Sequence, residues 1–137
     1  MISGYAFCMD GGAVSWNSRK QALVSLSKTE SEYVAVTHAA KEAIWIRMFL
    51  GDILRPLTKP MVVYCDQSAI AVAKNDPYHA CMKHIDIRYH FIRELISREI
   101  IEVHYCPTEN MVADIFTKAL PVKTFEHLRT LLGVHLD

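Results

Sequence analysis

The chain has 137 residues, 51% of them apolar and 22% charged, which suits one domain with a buried core and excludes long disorder. Lysine plus arginine equals aspartate plus glutamate at fifteen each, so a polybasic protein holding nucleic acid by charge alone is excluded, while a local basic groove is not. No apolar run approaches the ~20 residues of a membrane span, the first residues form no secretion leader, and four scattered cysteines without a CxxC pair point to a reducing, intracellular setting, cytoplasmic or nuclear, with no membrane partner.

In chain order, an apolar and aromatic stretch over 4–9, the turn signal Asp10-Gly11-Gly12 and the extended Ala13-Val14-Ser15-Trp16 predict a β-hairpin. A short strand is predicted over 22–26. Ser27-Lys28-Thr29-Glu30 fits a capping box, and the spacing of Val36, Ala39, Ala40, Ala43, Ile44 and Arg47 predicts a helix to about Leu50, with Gly51 as its C-terminal cap. Met61-Val62-Val63-Tyr64-Cys65 is an unbroken apolar run, the pattern of a strand covered on both faces in a parallel sheet. A short helix over 67–74 ends at Asn75-Asp76-Pro77. A second helix follows over 85–98, with Ile85, Tyr89, Ile92 and Ile96 on one stripe. Residues 100–106 read as a strand stopped by Pro107, and 109–120 as a helix. After Pro121 comes a last amphipathic helix with Phe125, Leu128, Leu131 and Leu132 on one side before Gly133. Two buried strands joined through helices imply a βαβ unit, and the fold class is α/β, a mixed sheet flanked by helices.

Three carboxylates fall where chemistry is possible. Asp66 closes the apolar strand, at the edge where open α/β sheets bind ligands. Glu32 lies in the first turns of the long helix, and Asp114 in the segment after the last strand. Carboxylates brought from different elements to one edge repel unless a hard cation neutralises them, which suggests Mg²⁺ or Mn²⁺. Two such ions could activate water and stabilise a leaving oxygen in phosphodiester hydrolysis. By residue type alone a plainer reading stays open: Glu32 favours a helix N-terminus, Asp66 caps the next helix and Asp114 is solvated.

Several segments resemble the signatures of one family. Ser27-Lys28-Thr29-Glu30-Ser31-Glu32-Tyr33, Tyr64-Cys65-Asp66, Lys83-His84-Ile85-Asp86-Ile87-Arg88-Tyr89-His90-Phe91-Ile92-Arg93 and Ala113-Asp114-Ile115-Phe116-Thr117-Lys118 are similar to segments of the ribonuclease H domain of Ty1/copia-type retrotransposon polyproteins, in the same order. Ser3-Gly4-Tyr5 and Gly12-Ala13-Val14-Ser15-Trp16 resemble that domain's first hairpin, and Leu120-Pro121 its end. The resemblance implies a ribonuclease H-like domain over 1–121 with a C-terminal amphipathic helix, 122–137, packed on it. It also implies two-metal hydrolysis of RNA in RNA–DNA hybrids, with Glu32, Asp66 and Asp114 as catalytic metal ligands and His84 and Arg88 lining the substrate.

The chain departs from the family in two places. The family's first aspartate lies on a strand ahead of the Ser-Gly-Tyr segment, and here only Met1 and Ile2 precede Ser3. With that first strand missing, the resemblance implies weak or no catalysis. It also implies unpaired sheet edges, and hence a competing reading as a non-catalytic module that binds nucleic acid or forms a homodimer through those edges. The segment after Asp66 is one residue shorter than usual, which would turn the following helix by ~100°.

Other candidates are weaker. His79, Cys81, His84 and His90 match no common zinc-ligand spacing. Lys83, Arg88, Arg93 and Arg98 make the most basic stretch without sharing one helix face.

Overall fold

The structure is a computed structural model that describes residues 2–21, 28–67, 70 and 83–136. Its strands and helices are β1 (Ile2–Met9), β2 (Gly12–Lys20), α1 (Lys28–Ile53), β3 (Met61–Cys65), α2 (Lys83–Ser97), β4 (Ile101–Tyr105) and α3 (Val122–Leu131), with 3₁₀ turns at Thr108–Asn110 and Val112–Phe116. The class is α/β, as expected. The strands form two two-stranded sheets, antiparallel β1–β2 and parallel β3–β4. The strand expected over 22–26, Ser27 of the capping box and most of the helix expected over 67–74 lie outside the described residues. The chain divides into two compact units, Met1–Leu26 with Cys106–Asp137, and Ser27–Tyr105.

In the continuous unit, α1 packs against α2 and β3. Ala39, Ala40 and Ala43 lie on its buried side, and small side chains there let backbones approach closely. Tyr33, Val34 and Ile46 of α1, Tyr89, Ile92 and Leu95 of α2, and Val63, Cys65, Ile101 and Val103 of the strands complete this core. The α2 stripe is therefore rotated slightly from expectation: Leu95 is buried and Ile96 only partly so. Gly51 is not a cap, because α1 runs through it to Ile53, and the Leu54 amide still donates to the Leu50 carbonyl at 2.9 Å. The helix stops only as Pro56 approaches, since the residue before a proline disfavours helical backbone.

β3 and β4 are parallel, with Met61 opposite Ile101 and Cys65 opposite Tyr105. The expectation that β3 is covered on both faces is corrected: Val63 and Cys65 are buried, but Val62 and Tyr64 are exposed. The unbroken apolar run conceals an alternation in burial, because α1 packs on this strand from the side that Val63 and Cys65 face.

Arg47 ties three segments of this unit. Its Nη1 donates to the Lys59 carbonyl at 2.7 Å and the Ile100 carbonyl at 3.5 Å, and its Nη2 to the Leu57 carbonyl at 2.9 Å. A planar guanidinium can serve several acceptors at once; an ammonium cannot match its fixed fork. Arg47→Met is expected to destabilise the chain by ~1–3 kcal/mol, with Arg47→Lys recovering only part, as read by urea unfolding.

In the other unit, β1 and β2 pair from Ile2–Lys20 to Met9–Gly12, with an irregularity between Phe7 and Cys8. Asp10 and Gly11 both have positive φ, 53° and 83°, so the two-residue loop is of the primed type that matches strand twist. The segment predicted as a helix over 109–120 is instead two 3₁₀ turns broken at Met111, whose ψ is 90°. Tertiary contact decides this. The second turn packs on β1 at Gly4, where a Cβ would stand 3.0 Å from Phe116 Cβ and 3.1 Å from Thr117 Cγ2. The Ser18 hydroxyl fixes the turn's end by donating to the Phe116 carbonyl at 2.6 Å. Of the predicted apolar side, Leu128 of α3 and Leu132 just after it are buried, whereas Phe125 and Leu131 are partly exposed. α3 ends at Gly133, φ 86°, with Gly133 N–H on the Thr130 carbonyl and Val134 N–H on the Arg129 carbonyl, a Schellman ending. The Ala13 amide donates to the Leu132 carbonyl at 3.0 Å, joining this ending to the hairpin loop.

Candidate metal and substrate site

Glu32 and Asp66 lie in the same unit. Glu32 is on the second turn of α1, half-buried between the buried Ser31 and Tyr33. Asp66 directly follows β3, also half-buried, and its carbonyl accepts the Ile70 amide at 3.2 Å. A helical turn thus begins immediately after the strand and leaves Asp66 at the strand's carboxyl end. Both carboxylate residues interact with neighbours.

Asp114 belongs to the other unit, in the turn Val112–Phe116. Its side chain is 18% exposed, with Oδ2 3.2 Å from Lys118 Nζ. Its carbonyl accepts the Thr117 amide at 3.2 Å and the Thr117 hydroxyl at 3.3 Å. The backbone of this short turn is thereby held from inside, and Lys118 anchors the carboxylate. Within neither unit do the described residues gather three or more His, Cys, Asp or Glu into a group that could hold a metal ion.

His84 opens α2 as its second residue. Arg88 is half-buried on α2 and, among the described residues, engages no hydrogen-bond or ion-pair partner. Arg93 behaves differently: its guanidinium lies 5.8 Å from the Tyr89 ring centroid, a cation–π contact. Tyr89 also meets Tyr33 edge-on at 6.4 Å and His90 at 5.5 Å. Burial, then the neighbouring Tyr89, push the Tyr33 phenol up to about 12, with Arg93 pulling the other way. A folded-state value above the unfolded ~10 means the unfolded chain loses its proton first. Stability is therefore expected to fall between about pH 10 and 12, by ~1.4 kcal/mol per pH unit, and Tyr33→Phe should flatten that slope in alkaline unfolding curves.

Two features of the Asp114 region escaped the sequence reading. Burial, then Asp114 and Glu109, raise the Cys106 thiol above its ordinary value, which places this cysteine beside the candidate carboxylate. His127 of α3 sits 3.2 Å from Asn110 Oδ1 and ties that helix to the first 3₁₀ turn. Neither has a sequence signal, since each depends on the turns replacing the predicted helix. Of the four residues weighed as zinc ligands, His79 and Cys81 lie outside the described residues.

No helix of the described residues is long and apolar enough to cross a membrane. The mixed α/β architecture with small flanked sheets defines the class of the chain. Its homologues are Ty1/copia-type retrotransposon Pol polyproteins, which it matches over most of its length. The chain is 48% identical over 134 residues, 97% of its length, to the retrovirus-related Pol polyprotein from transposon TNT 1-94 of Nicotiana tabacum, covering 10% of that protein. It is 36% identical over 133 residues, 96% of its length, to the corresponding polyprotein from transposon RE1 of Arabidopsis thaliana, covering 9% of it. It is 28% identical over 130 residues, 91% of its length, to the transposon Ty1-NL2 Gag-Pol polyprotein of Saccharomyces cerevisiae, covering 7% of it. The chain thus spans about a tenth or less of each of these three polyproteins. No family model matches the chain, and no solved structure matches it.

Proposed function

We propose that the chain is the ribonuclease H-like domain of a retrotransposon Pol polyprotein, acting on the RNA strand of RNA–DNA hybrids with Mg²⁺ or Mn²⁺. The observation that carries this reading is the placement of Asp66 at the carboxyl end of a parallel strand, in one unit with Glu32 on the helix that packs against that strand. Open α/β sheets put ligands at that edge. Homology to Pol polyproteins supports the same reading.

The donor set suits a hard divalent cation, since all three candidates are carboxylates. By the resemblance, Glu32, Asp66 and Asp114 would be the ligands of the ions. Bound there, the ions would activate a water and stabilise the leaving oxygen of a phosphodiester. The chain's own groups supply position. Lys118 anchors the Asp114 carboxylate, and Arg88, with no partner among the described residues, would meet backbone phosphate. Hybrid recognition would then run through helix shape and 2′-OH contacts with little base readout. Three carboxylates are one fewer than this chemistry uses, so the 137-residue polypeptide by itself is expected to cleave weakly or not at all.

The test is cleavage of a labelled RNA–DNA hybrid with Mg²⁺. The chain alone is compared with the chain fused behind the segment that precedes the matching region in the TNT 1-94 polyprotein. Cleavage gained in the fusion supports the reading. A folded fusion without cleavage overturns it. A second reading, self-association or nucleic-acid binding through sheet edges, draws on the two-stranded sheets, each of whose strands has one unpaired edge among the described residues.

A further inference from the structure

The outward side of α1 presents apolar side chains that the unit's own core does not use. Trp45, Met48, Phe49 and Ile53 are 56%, 66%, 47% and 57% exposed, and Leu54, just past the helix, is 72% exposed. Trp45 and Phe49 are stacked, ring centroids 5.1 Å apart and 8° from parallel. At these exposures the five side chains present on the order of 600 Å², the upper end of what a monomer's largest apolar patch shows.

Charge selects the occupant. Lys41, Trp45, Met48 and Asp52 recur at four, three and four residues, one line along the exposed side of α1, ~16 Å long at 1.5 Å per residue. The line carries a cation at its N-terminal end and an anion at its C-terminal end, and neither is ion-paired among the described residues. It is therefore complementary to its own reverse. In an antiparallel two-fold pairing, residue i meets j and j meets i. Centred between Ile46 and Arg47, that pairing sets Trp45 against Met48 of the second copy and Lys41 against Asp52. A parallel pairing would oppose like charges.

The geometry points to α1 as a homodimer interface in which two copies of this chain pack antiparallel along the line from Lys41 to Asp52. This surface is distinct from the sheet edges, and the inference does not depend on the nuclease reading.

Sedimentation velocity of the full chain over a concentration series tests it. A concentration-dependent dimer is expected, and Met48→Lys should abolish it while leaving the far-UV circular dichroism unchanged, since Met48 is exposed. Lys41→Glu or Asp52→Lys alone should each weaken dimerisation about tenfold, because each creates two like-charge pairs per dimer. The double variant should recover to within a few-fold. A strict monomer throughout the series overturns the proposal. So does a dimer indifferent to Met48→Lys, the result expected of pairing through sheet edges. Failure of the double variant to recover overturns the antiparallel register, and this reading stands even where Met48→Lys perturbs folding.

Discussion

Gly133→Ala is expected to destabilise the chain by ~3–5 kcal/mol, combining left-handed backbone strain with a clash that rigid neighbours cannot relieve. A Cβ at position 133 would overlap the Gly11 carbonyl oxygen and stand 2.7 Å from Gly12 Cα and 3.1 Å from the Gly11 carbonyl carbon. All three are backbone atoms, so no rotamer change relieves the contact. Residue 133 also closes α3 with φ 86°, where an L side chain is strained in open space as well. Moving the helix end away would break the bond between the Ala13 amide and the Leu132 carbonyl. Gly11→Ala separates the two contributions, because Gly11 has φ 83° but no atom within 4 Å of its Cβ site. It should cost only the backbone strain, ~1–2 kcal/mol. Denaturant unfolding of both variants measures the difference, and equal costs would mean that the loop and the helix ending are not in contact.

Asp66→Asn, made in the fusion that supplies the upstream segment, should reduce hybrid cleavage by at least ~10²-fold, the order of loss when a group acting on transition-state charge is removed. Asparagine keeps the size of the side chain and one oxygen but loses the charge that holds a divalent cation. Far-UV circular dichroism of the variant checks that the fold is kept, since Asp66 is half-buried and interacts with its neighbours. Asp114→Asn should give a comparable loss and also free Lys118. Lys118→Ala should cost stability little, because i,i+4 pairs of this exposure contribute ~0.3–0.5 kcal/mol. Cleavage that survives Asp66→Asn would remove this residue from the proposed chemistry.

What could be read from the sequence was whatever the chain settles locally. The Asp10-Gly11 turn needs only its own two residues to adopt positive φ, and the hairpin followed. The apolar side of α3 and its ending at Gly133 are likewise written within a dozen neighbours. The parallel pairing of β3 and β4 was readable because the helices between them leave few other topologies. The 3₁₀ turns were not, because Gly4, more than a hundred residues earlier, admits Phe116 and Thr117 and overrides a helical pattern. The exposure of Val62 and Tyr64 depends on which side α1 covers, and apolar content alone carries no such side. Within the candidate site, the motifs fixed where Glu32, Asp66 and Asp114 stand in the chain. The closeness of Cys106 to Asp114 and the reach of Arg47 to Ile100 arise only on folding, between segments that no short pattern links.

The division of the chain has a consequence for its biosynthesis. One unit, Ser27–Tyr105, is continuous, whereas the other joins Met1–Leu26 to Cys106–Asp137. On a ribosome the hairpin emerges before the continuous unit, and a two-stranded hairpin alone is marginal in water. Its partners, the turn at Phe116 and the buried Leu128 and Leu132, are translated only after that unit. The intervening unit can therefore close while the hairpin still waits. Ribosome stalling shortly after Tyr105 would leave a nascent chain with a formed α1–α2 core and a protease-sensitive start, and release of the final segment would convert that start to a resistant one.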